Sequence, residues 1–60
     1  MRTWLKTYRE IAQLTHEQVA CAARISRSYY TNIENGNKTP SVLAAKSIAE
    51  VLNFSWSKFF

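Results

Sequence analysis

The sequence has almost none of the residues that link small proteins through covalent or metal bonds. Among its 60 residues there is one cysteine, Cys21, and one histidine, His16. One cysteine closes no internal disulfide, and no cluster of His, Cys and carboxylate residues offers the three or four ligands that zinc requires. We therefore exclude a disulfide scaffold and a structural zinc site, and we expect no metal and no cofactor.

Long apolar runs are missing as well. The longest, Val19 to Ala23, has five residues, whereas a membrane-spanning helix needs about 20. Arg2 and Lys6 are basic enough for the start of a signal peptide, but Glu10 and Glu17 fall where its apolar stretch would lie. We expect a cytoplasmic protein that makes no contact with a membrane.

Glycine and proline are scarce, and negative charge is outnumbered. One Gly and one Pro leave few turns, so nearly the whole chain is predicted to be regular structure. Hydrophobic residues make up 47% of the chain, which is enough for one small folded domain. Because the core of so small a domain is only marginally stable, we expect a partner subunit. Eight Lys or Arg against four Asp or Glu give a net charge of +4, which favours a polyanion as partner.

The spacing of apolar residues predicts an all-α fold. These residues recur every three or four positions, which is the period of an amphipathic helix. The predicted elements are four helices, over about residues 3–12, 16–23, 27–35 and 42–52, and a short C-terminal helix over 56–60. Their boundaries are marked by the N-caps Thr15, Ser26, Ser41 and Ser55 and by the helix-ending residues Gly36 and Asn53.

The apolar face of each predicted helix supplies a candidate core. Its members are Trp4, Leu5, Tyr8, Ile11, Ala12, Val19, Ala20, Ala23, Tyr30, Ile33, Val42, Ala45, Ile48, Ala49 and Leu52. Leu43 and Val51 remain on the outer side of the fourth helix, and the aromatic residues Phe54, Trp56, Phe59 and Phe60 follow it. We expect residues 53–60 to form a lid on the core or a dimer surface, with Leu43, Val51, Phe59 and Phe60 as the dimer candidates.

The second and third helices are joined by only Arg24 to Ser26, which predicts a helix-turn-helix over about residues 16–35. In such a unit the second helix can enter the major groove of DNA. Its outer face here carries Arg27, Ser28, Thr31 and Asn32. Arg can bind guanine, and Asn adenine, through two hydrogen bonds. The alternative interpretation is an ordinary exposed helix face, which is also polar.

Several short stretches occur in a characteristic order along the chain. They are Leu5 with Arg9, Leu14-Thr15, Val19-Ala20, Ile25 to Tyr30, Ile33 to Gly36, Pro40-Ser41, and Ile48-Ala49 with Leu52. In this order and spacing the chain resembles the Cro/CI-type helix-turn-helix regulators, the XRE family of bacteria and their phages. The resemblance implies a lambda-repressor-like DNA-binding domain over residues 1–60.

The resemblance also implies roles for individual residues. Arg27, Ser28 and Asn32 would face base edges, with Thr31 nearby. Phosphate contacts would come from His16, which stands where the family commonly has Gln, and from the loop that carries Asn37 and Lys38. Tyr29 would lie at the edge of the groove. There its hydroxyl would donate to a phosphate or, in the alternative interpretation, its ring would only pack against the domain.

Three further positions follow from the family pattern. Arg9 and Glu34 match a pair that ties the first helix to the third, so we interpret Arg9 as structural. Arg24 stands where the turn of this family usually has Gly. We therefore expect Arg24 to adopt a positive φ, or the turn to be tilted differently. Arg24 is also a candidate phosphate contact. Cys21 stands where a polar residue is usual. It is either a small spacer or a redox-sensitive group.

An enzyme and a membrane-surface or protein-binding module are the alternatives to DNA binding. An enzyme is disfavoured because no nucleophile turn, phosphate loop or carboxylate pair is present. A membrane-surface or protein-binding module is suggested by the C-terminal aromatics, but only Lys58 accompanies them.

We expect a sequence-specific regulator that binds double-stranded DNA, without a small-molecule ligand. It would act as a homodimeric repressor on a near-palindromic operator. The alternative is a DNA-binding subunit that works with a partner protein through its apolar C-terminal surface, as an antitoxin-like or accessory regulator.

Overall fold

The computed structural model describes all 60 residues and confirms the all-α prediction. Its elements are α1 (Thr3–Ile11), α2 (His16–Ala23), α3 (Arg27–Asn35), α4 (Val42–Leu52) and a C-terminal 3-10 turn (Trp56–Phe59). The first helix ends one residue earlier than predicted, and the last element is a 3-10 turn. None of the helices has the length and apolar character that crossing a lipid bilayer requires.

The predicted N-caps form at three of the four positions. At the start of α2, Thr15 Oγ1 accepts the Gln18 backbone N–H at 3.1 Å, and the Thr15 N–H donates to Gln18 Oε1 at 2.8 Å, which is a complete capping box. Ser26 and Ser41 cap α3 and α4 through one bond each, because their hydroxyls accept the backbone N–H of Tyr29 and of Ala44 at 3.1 Å. The prediction for Ser55 was wrong, because its hydroxyl lies 2.8 Å from the Ser57 hydroxyl instead of capping the turn.

Helices α2, α3 and α4 end in left-handed residues. Gly36 closes α3 at φ 84°, and Asn53 closes α4 at φ 60°. Arg24 adopts φ 61° in the turn after α2, so of the two predicted solutions for this position the chain uses positive φ. A non-glycine residue in the left-handed conformation is about 1 kcal/mol less stable than in the right-handed one. With Arg24 in this conformation the turn between α2 and α3 stays short.

The core lies where α1, α2, α3 and α4 meet. Its buried apolar members are Leu5, Val19, Ala20, Ala23, Tyr30, Ile33, Ala44, Ala45, Ile48, Ala49, Leu52 and Phe59. Three predicted core residues are instead exposed. Ile11 is 75% exposed and Val42 50% exposed, and Ala12 is also at the surface. All three lie at helix ends, where no other element packs over them.

The C-terminal segment 53–60 covers one side of the core. Phe59 is only 9% exposed, and its ring centroid lies 5.1 Å from that of Trp4. Phe54 packs between Trp4 and Tyr8, at 5.3 and 5.0 Å. The prediction of Phe59 as a dimer residue is therefore corrected, because its ring is used inside the domain as part of the lid. Phe60, at 65% exposure, still faces outward.

Candidate nucleic-acid interface

Helices α2 and α3 pack against each other across the short turn of residues 24–26. The Ile25 backbone N–H donates to the Ala20 carbonyl at 3.0 Å, which closes the turn against α2. Ala20 and Ala23 are buried at the crossing, and small side chains there let α3 approach closely. Ile25 packs against the core from the turn itself. The local geometry therefore fixes α3 relative to α2 and leaves its outer face open.

The outer face of α3 holds the four side chains that sequence reasoning assigned to base reading. Arg27, Ser28, Thr31 and Asn32 line one shallow depression on the surface. Arg27 and Ser28 are exposed, and Thr31 and Asn32 are half-buried. Positions 27, 28, 31 and 32 of a helix share one side because 3.6 residues make a turn. The depression is lined by polar residues only and combines one cation with three short hydrogen-bonding groups.

A buried carboxylate lies directly behind this face. Glu34 is 1% exposed, and its Oε1 accepts from Arg9 Nε at 2.8 Å and from the Tyr30 hydroxyl at 2.9 Å. Arg9 also donates to the Leu14 carbonyl at 2.9 Å. The ion pair thus joins α1 to α3, and Tyr30 stands one helical turn before Glu34 on the same side of α3.

His16 completes the environment of Glu34. Its Nε2 lies 2.9 Å from Glu34 Oε2, and its Nδ1 lies 2.9 Å from Thr31 Oγ1. The side chain is 25% exposed. Both ring nitrogens therefore contact protein groups, which sequence reasoning did not foresee when it assigned His16 to a phosphate. The sequence carries no local signal for these contacts, because positions 16, 31 and 34 are brought together only by the packing of α2 on α3.

The network shifts the pKa values of its members. Desolvation by itself would raise the pKa of Glu34, but hydrogen bonds from Arg9 and Tyr30 together with the nearby positive charge hold it below its ordinary value. Burial, and the hydrogen bond to Glu34, raise the pKa of Tyr30. The carboxylate is therefore ionised and the phenol neutral, so that each buried polar atom is satisfied.

The residues predicted to contact phosphate lie around the rim of α3. Arg24 is exposed in the turn before it, and Asn37 and Lys38 are exposed in the loop after it. The Tyr29 hydroxyl accepts the Ser41 backbone N–H at 3.2 Å, and its ring is packed against the core. Because that bond uses an oxygen lone pair, the Tyr29 hydroxyl keeps its proton for donation. Both interpretations of Tyr29 are compatible with this geometry.

Arg2 was missed by sequence reasoning, although it anchors the end of α3. Its guanidinium donates to the carbonyls of Ile33 and Lys38, and its backbone N–H donates to the Glu34 carbonyl at 2.7 Å. These are carbonyls at and beyond the helix C-terminus, where a cation is stabilising. Arg2 also holds the loop that carries Lys38. No local pattern signals this role, since the partners are more than 30 positions away in sequence.

Two remaining predicted positions lie on other surfaces. Leu43 is 76% exposed on α4, whereas Val51 is only half-exposed and packs against the core. Cys21 is exposed on the outer side of α2, as predicted from its position.

Comparison with known proteins agrees with this architecture. A family model described as helix-turn-helix matches residues 5–59. The chain is 53% identical over 60 residues to the uncharacterized HTH-type transcriptional regulator YqaF of Bacillus subtilis (strain 168), covering all of this chain and 79% of that protein. No solved structure matches the chain.

Removal of the Arg9 side chain should destabilise the fold. The Arg9→Ala variant leaves the Glu34 carboxylate buried without its main cation, so the free energy of unfolding should fall, by up to about 3 to 5 kcal/mol. Urea unfolding followed by circular dichroism measures the loss. Lys6→Ala is the matched control, because it removes a positive charge from the same helix without touching Glu34. Equal stability of the two variants would contradict a structural role for Arg9.

The lowered pKa of Glu34 predicts a loss of stability in acid. Above its ordinary value of 4.5, Glu34 is ionised in both folded and unfolded chains. As the pH falls through that value, the unfolded chain takes up the proton first, so the free energy of unfolding declines until the folded carboxyl is protonated too. Glu34→Gln should remove this part of the acid dependence, whereas Glu50→Gln, at an exposed position, should retain it. Identical pH profiles for the wild type and Glu34→Gln would contradict the assignment.

Proposed function

The chain belongs to the XRE-type helix-turn-helix family of DNA-binding transcriptional regulators, and within that family we propose that it represses transcription as a homodimer on a near-palindromic operator. In this proposal α3 lies in the major groove, and α2 lies across the sugar-phosphate backbone. We propose that it acts in the cytoplasm, where bacterial DNA is located.

The observation that carries the proposal is the polar depression on α3. A major groove is about as wide as a helix, and it presents a distinct pattern of donors and acceptors for each base pair. Arg27 supplies a forked donor, Asn32 an amide that can both donate and accept, and Ser28 and Thr31 short hydroxyls. These groups suit direct contact with base edges, which is what sequence-specific binding requires.

Phosphate contacts would fix the position of α3 in the groove. We propose that Lys38, Asn37 and Arg24 supply them, together with the Tyr29 hydroxyl and the N-terminal end of α2 at His16. The bond from Ser41 to the Tyr29 hydroxyl supports this role, because it holds the phenol at the rim with its proton free. Arg2 supports the loop side by anchoring the Lys38 carbonyl at 3.0 Å.

A homodimer would place two copies of α3 about 34 Å apart, over half-sites separated by about 10 base pairs. The exposed apolar side chains that support dimerisation are Leu43 on α4 and Phe60 at the C-terminus, at 76% and 65% exposure. A domain of this size has a small core, so burial of these side chains in a dimer would also add stability. We favour repression because a dimer bound at a promoter blocks the polymerase without any further contact surface.

A second candidate function is that of a DNA-binding subunit with a partner protein, in the manner of an antitoxin or accessory regulator. The observation that favours it is the outward position of Trp56 and Phe60, which lie edge to face at 6.0 Å between ring centroids. In that case the C-terminal surface would bind the partner instead of a second copy of this chain.

Base reading and phosphate binding should respond differently to mutation. Arg27→Ala should weaken binding to the selected operator by about 1 to 3 kcal/mol and relax the preference at one base pair. Lys38→Ala should weaken binding to every sequence and reduce the slope of log K against log salt by about 1. Fluorescence anisotropy on operator and random duplexes at several salt concentrations measures both effects.

The control for these two variants is Lys46→Ala, which removes the same charge from α4. It should change neither the base preference nor, beyond a small amount, the salt slope. Equal losses for Arg27→Ala on operator and on random DNA would contradict its assignment as a base reader.

Dimerisation should depend on Leu43. Leu43→Ser should shift the protein towards monomer in sedimentation equilibrium and weaken binding to a two-half-site operator more than to a single half-site. Ile11→Ser is the matched control, because Ile11 is equally exposed, at 75%, on α1. A monomeric wild type, or equal effects of the two variants, would contradict the proposed dimer surface and favour the partner-protein alternative.

A further inference from the structure

The Thr31 hydroxyl is bonded from behind to the one histidine of the chain. Thr31 lines the depression on α3, and its Oγ1 lies 2.9 Å from His16 Nδ1. We propose that His16 fixes the hydrogen-bonding direction of the Thr31 hydroxyl, so that Thr31 selects a base with an amino group in the major groove, adenine or cytosine. The inference rests on the proposed function, since it assumes that α3 reads bases.

Glu34 determines which nitrogen of His16 carries a proton. His16 Nε2 lies 2.9 Å from Glu34 Oε2. An ionised carboxylate can only accept hydrogen bonds, and Glu34 is held in this state by Arg9 at 2.8 Å. The proton between the two groups therefore belongs to Nε2. A neutral imidazole carries a single proton, so Nδ1 is the acceptor in the neutral ring, and the proposal applies to that form of His16.

The proton of the Thr31 hydroxyl is directed towards His16. A hydroxyl has a single proton and two lone pairs. Facing the unprotonated Nδ1, the Thr31 hydroxyl must donate its proton to His16. The lone pairs of Oγ1 then remain for a partner in the depression, and Thr31 acts towards DNA as an acceptor only.

The free lone pairs of Thr31 match the donors that two of the four bases present. In the major groove, adenine N6 and cytosine N4 are donors, whereas guanine O6 and thymine O4 are acceptors. An oxygen that offers only lone pairs is attracted to the amino groups of adenine and cytosine. It is repelled by the carbonyl oxygens of guanine and thymine. A free threonine would bind either class by rotating its hydroxyl, so the selectivity comes from His16.

The arrangement is rigid enough to hold this direction. The His16 ring packs edge-on against Tyr30, at 5.4 Å between centroids and 85° between planes. Tyr30 is itself buried and bonded to Glu34 at 2.9 Å. His16 is therefore a positioning residue, which acts on the base through Thr31 and not by touching it.

The test compares three variants with the wild type by selection of bound duplexes from a random pool at about pH 8. Thr31→Val removes the hydroxyl at nearly constant shape, His16→Phe removes the acceptor behind it, and the double variant removes both. We expect the wild type to prefer adenine or cytosine over guanine or thymine at one position by about two- to tenfold. Each single variant should lose that preference, and the double variant should lose no more than Thr31→Val.

A second measurement changes the DNA and leaves His16 in place. It can therefore be made even if the His16→Phe variant is unfolded. In the selected operator, the adenine is replaced by purine, or the cytosine by 2-pyrimidinone, which lack the amino group. Binding of the wild type should weaken by about two- to tenfold, and binding of Thr31→Val should not change.

The results separate this inference from the function on which it rests. A wild-type pool without any motif overturns the proposed function and the inference together. A clear motif that is unaffected by Thr31→Val, or that keeps its preference in folded His16→Phe, overturns the inference and leaves the function standing. Equal weakening of the wild type and Thr31→Val by the base analogues also overturns it.

Discussion

The burial of the Glu34 carboxylate is the constraint on which the rest of the structure depends. A charge taken out of water costs several kcal/mol unless it is paired and hydrogen-bonded. Here the compensation comes from Arg9 on α1, His16 on α2 and Tyr30 on α3 itself. Three helices must therefore be in place together for one carboxylate to be stable, which ties their relative positions to a single centre.

The same centre connects the fold to the surface that we propose as the DNA contact. Glu34 lies on the inner side of α3, and Thr31 lies one turn earlier at the edge of the polar depression. His16 bridges the two, with one ring nitrogen towards each. A group that stabilises the core thus also fixes a side chain of the exposed face. In a domain with so few buried residues, the core and the proposed binding surface are separated by a single side chain.

Much of this arrangement could be predicted from the sequence because it is encoded locally. The helix boundaries follow from apolar periodicity, the capping box at Thr15 and the left-handed stop at Gly36. The polar face of α3 follows from the spacing of residues 27, 28, 31 and 32. Each of these signals lies within one or two turns of helix, where spacing determines which side chains are neighbours.

What could not be predicted depends on contacts between distant segments. The bonds of His16 and the capping of α3 by Arg2 join residues that are 15 or more positions apart, and no periodicity records them. The exposure of Val42 was missed for a related reason, because a helical stripe shows which side is apolar but not where the neighbouring element stops covering it. Phe59 was left open between lid and dimer until the packing against Trp4 placed it in the core.

The most direct test of the central claim is the protonation state of the His16 ring in the intact protein. Nitrogen-15 chemical shifts of the imidazole, measured by long-range proton correlation at about pH 8, distinguish a protonated from an unprotonated ring nitrogen. If Glu34 organises the network as described, Nε2 carries the proton and Nδ1 does not. A ring with the proton on Nδ1, or one that exchanges freely between both forms, would contradict the account.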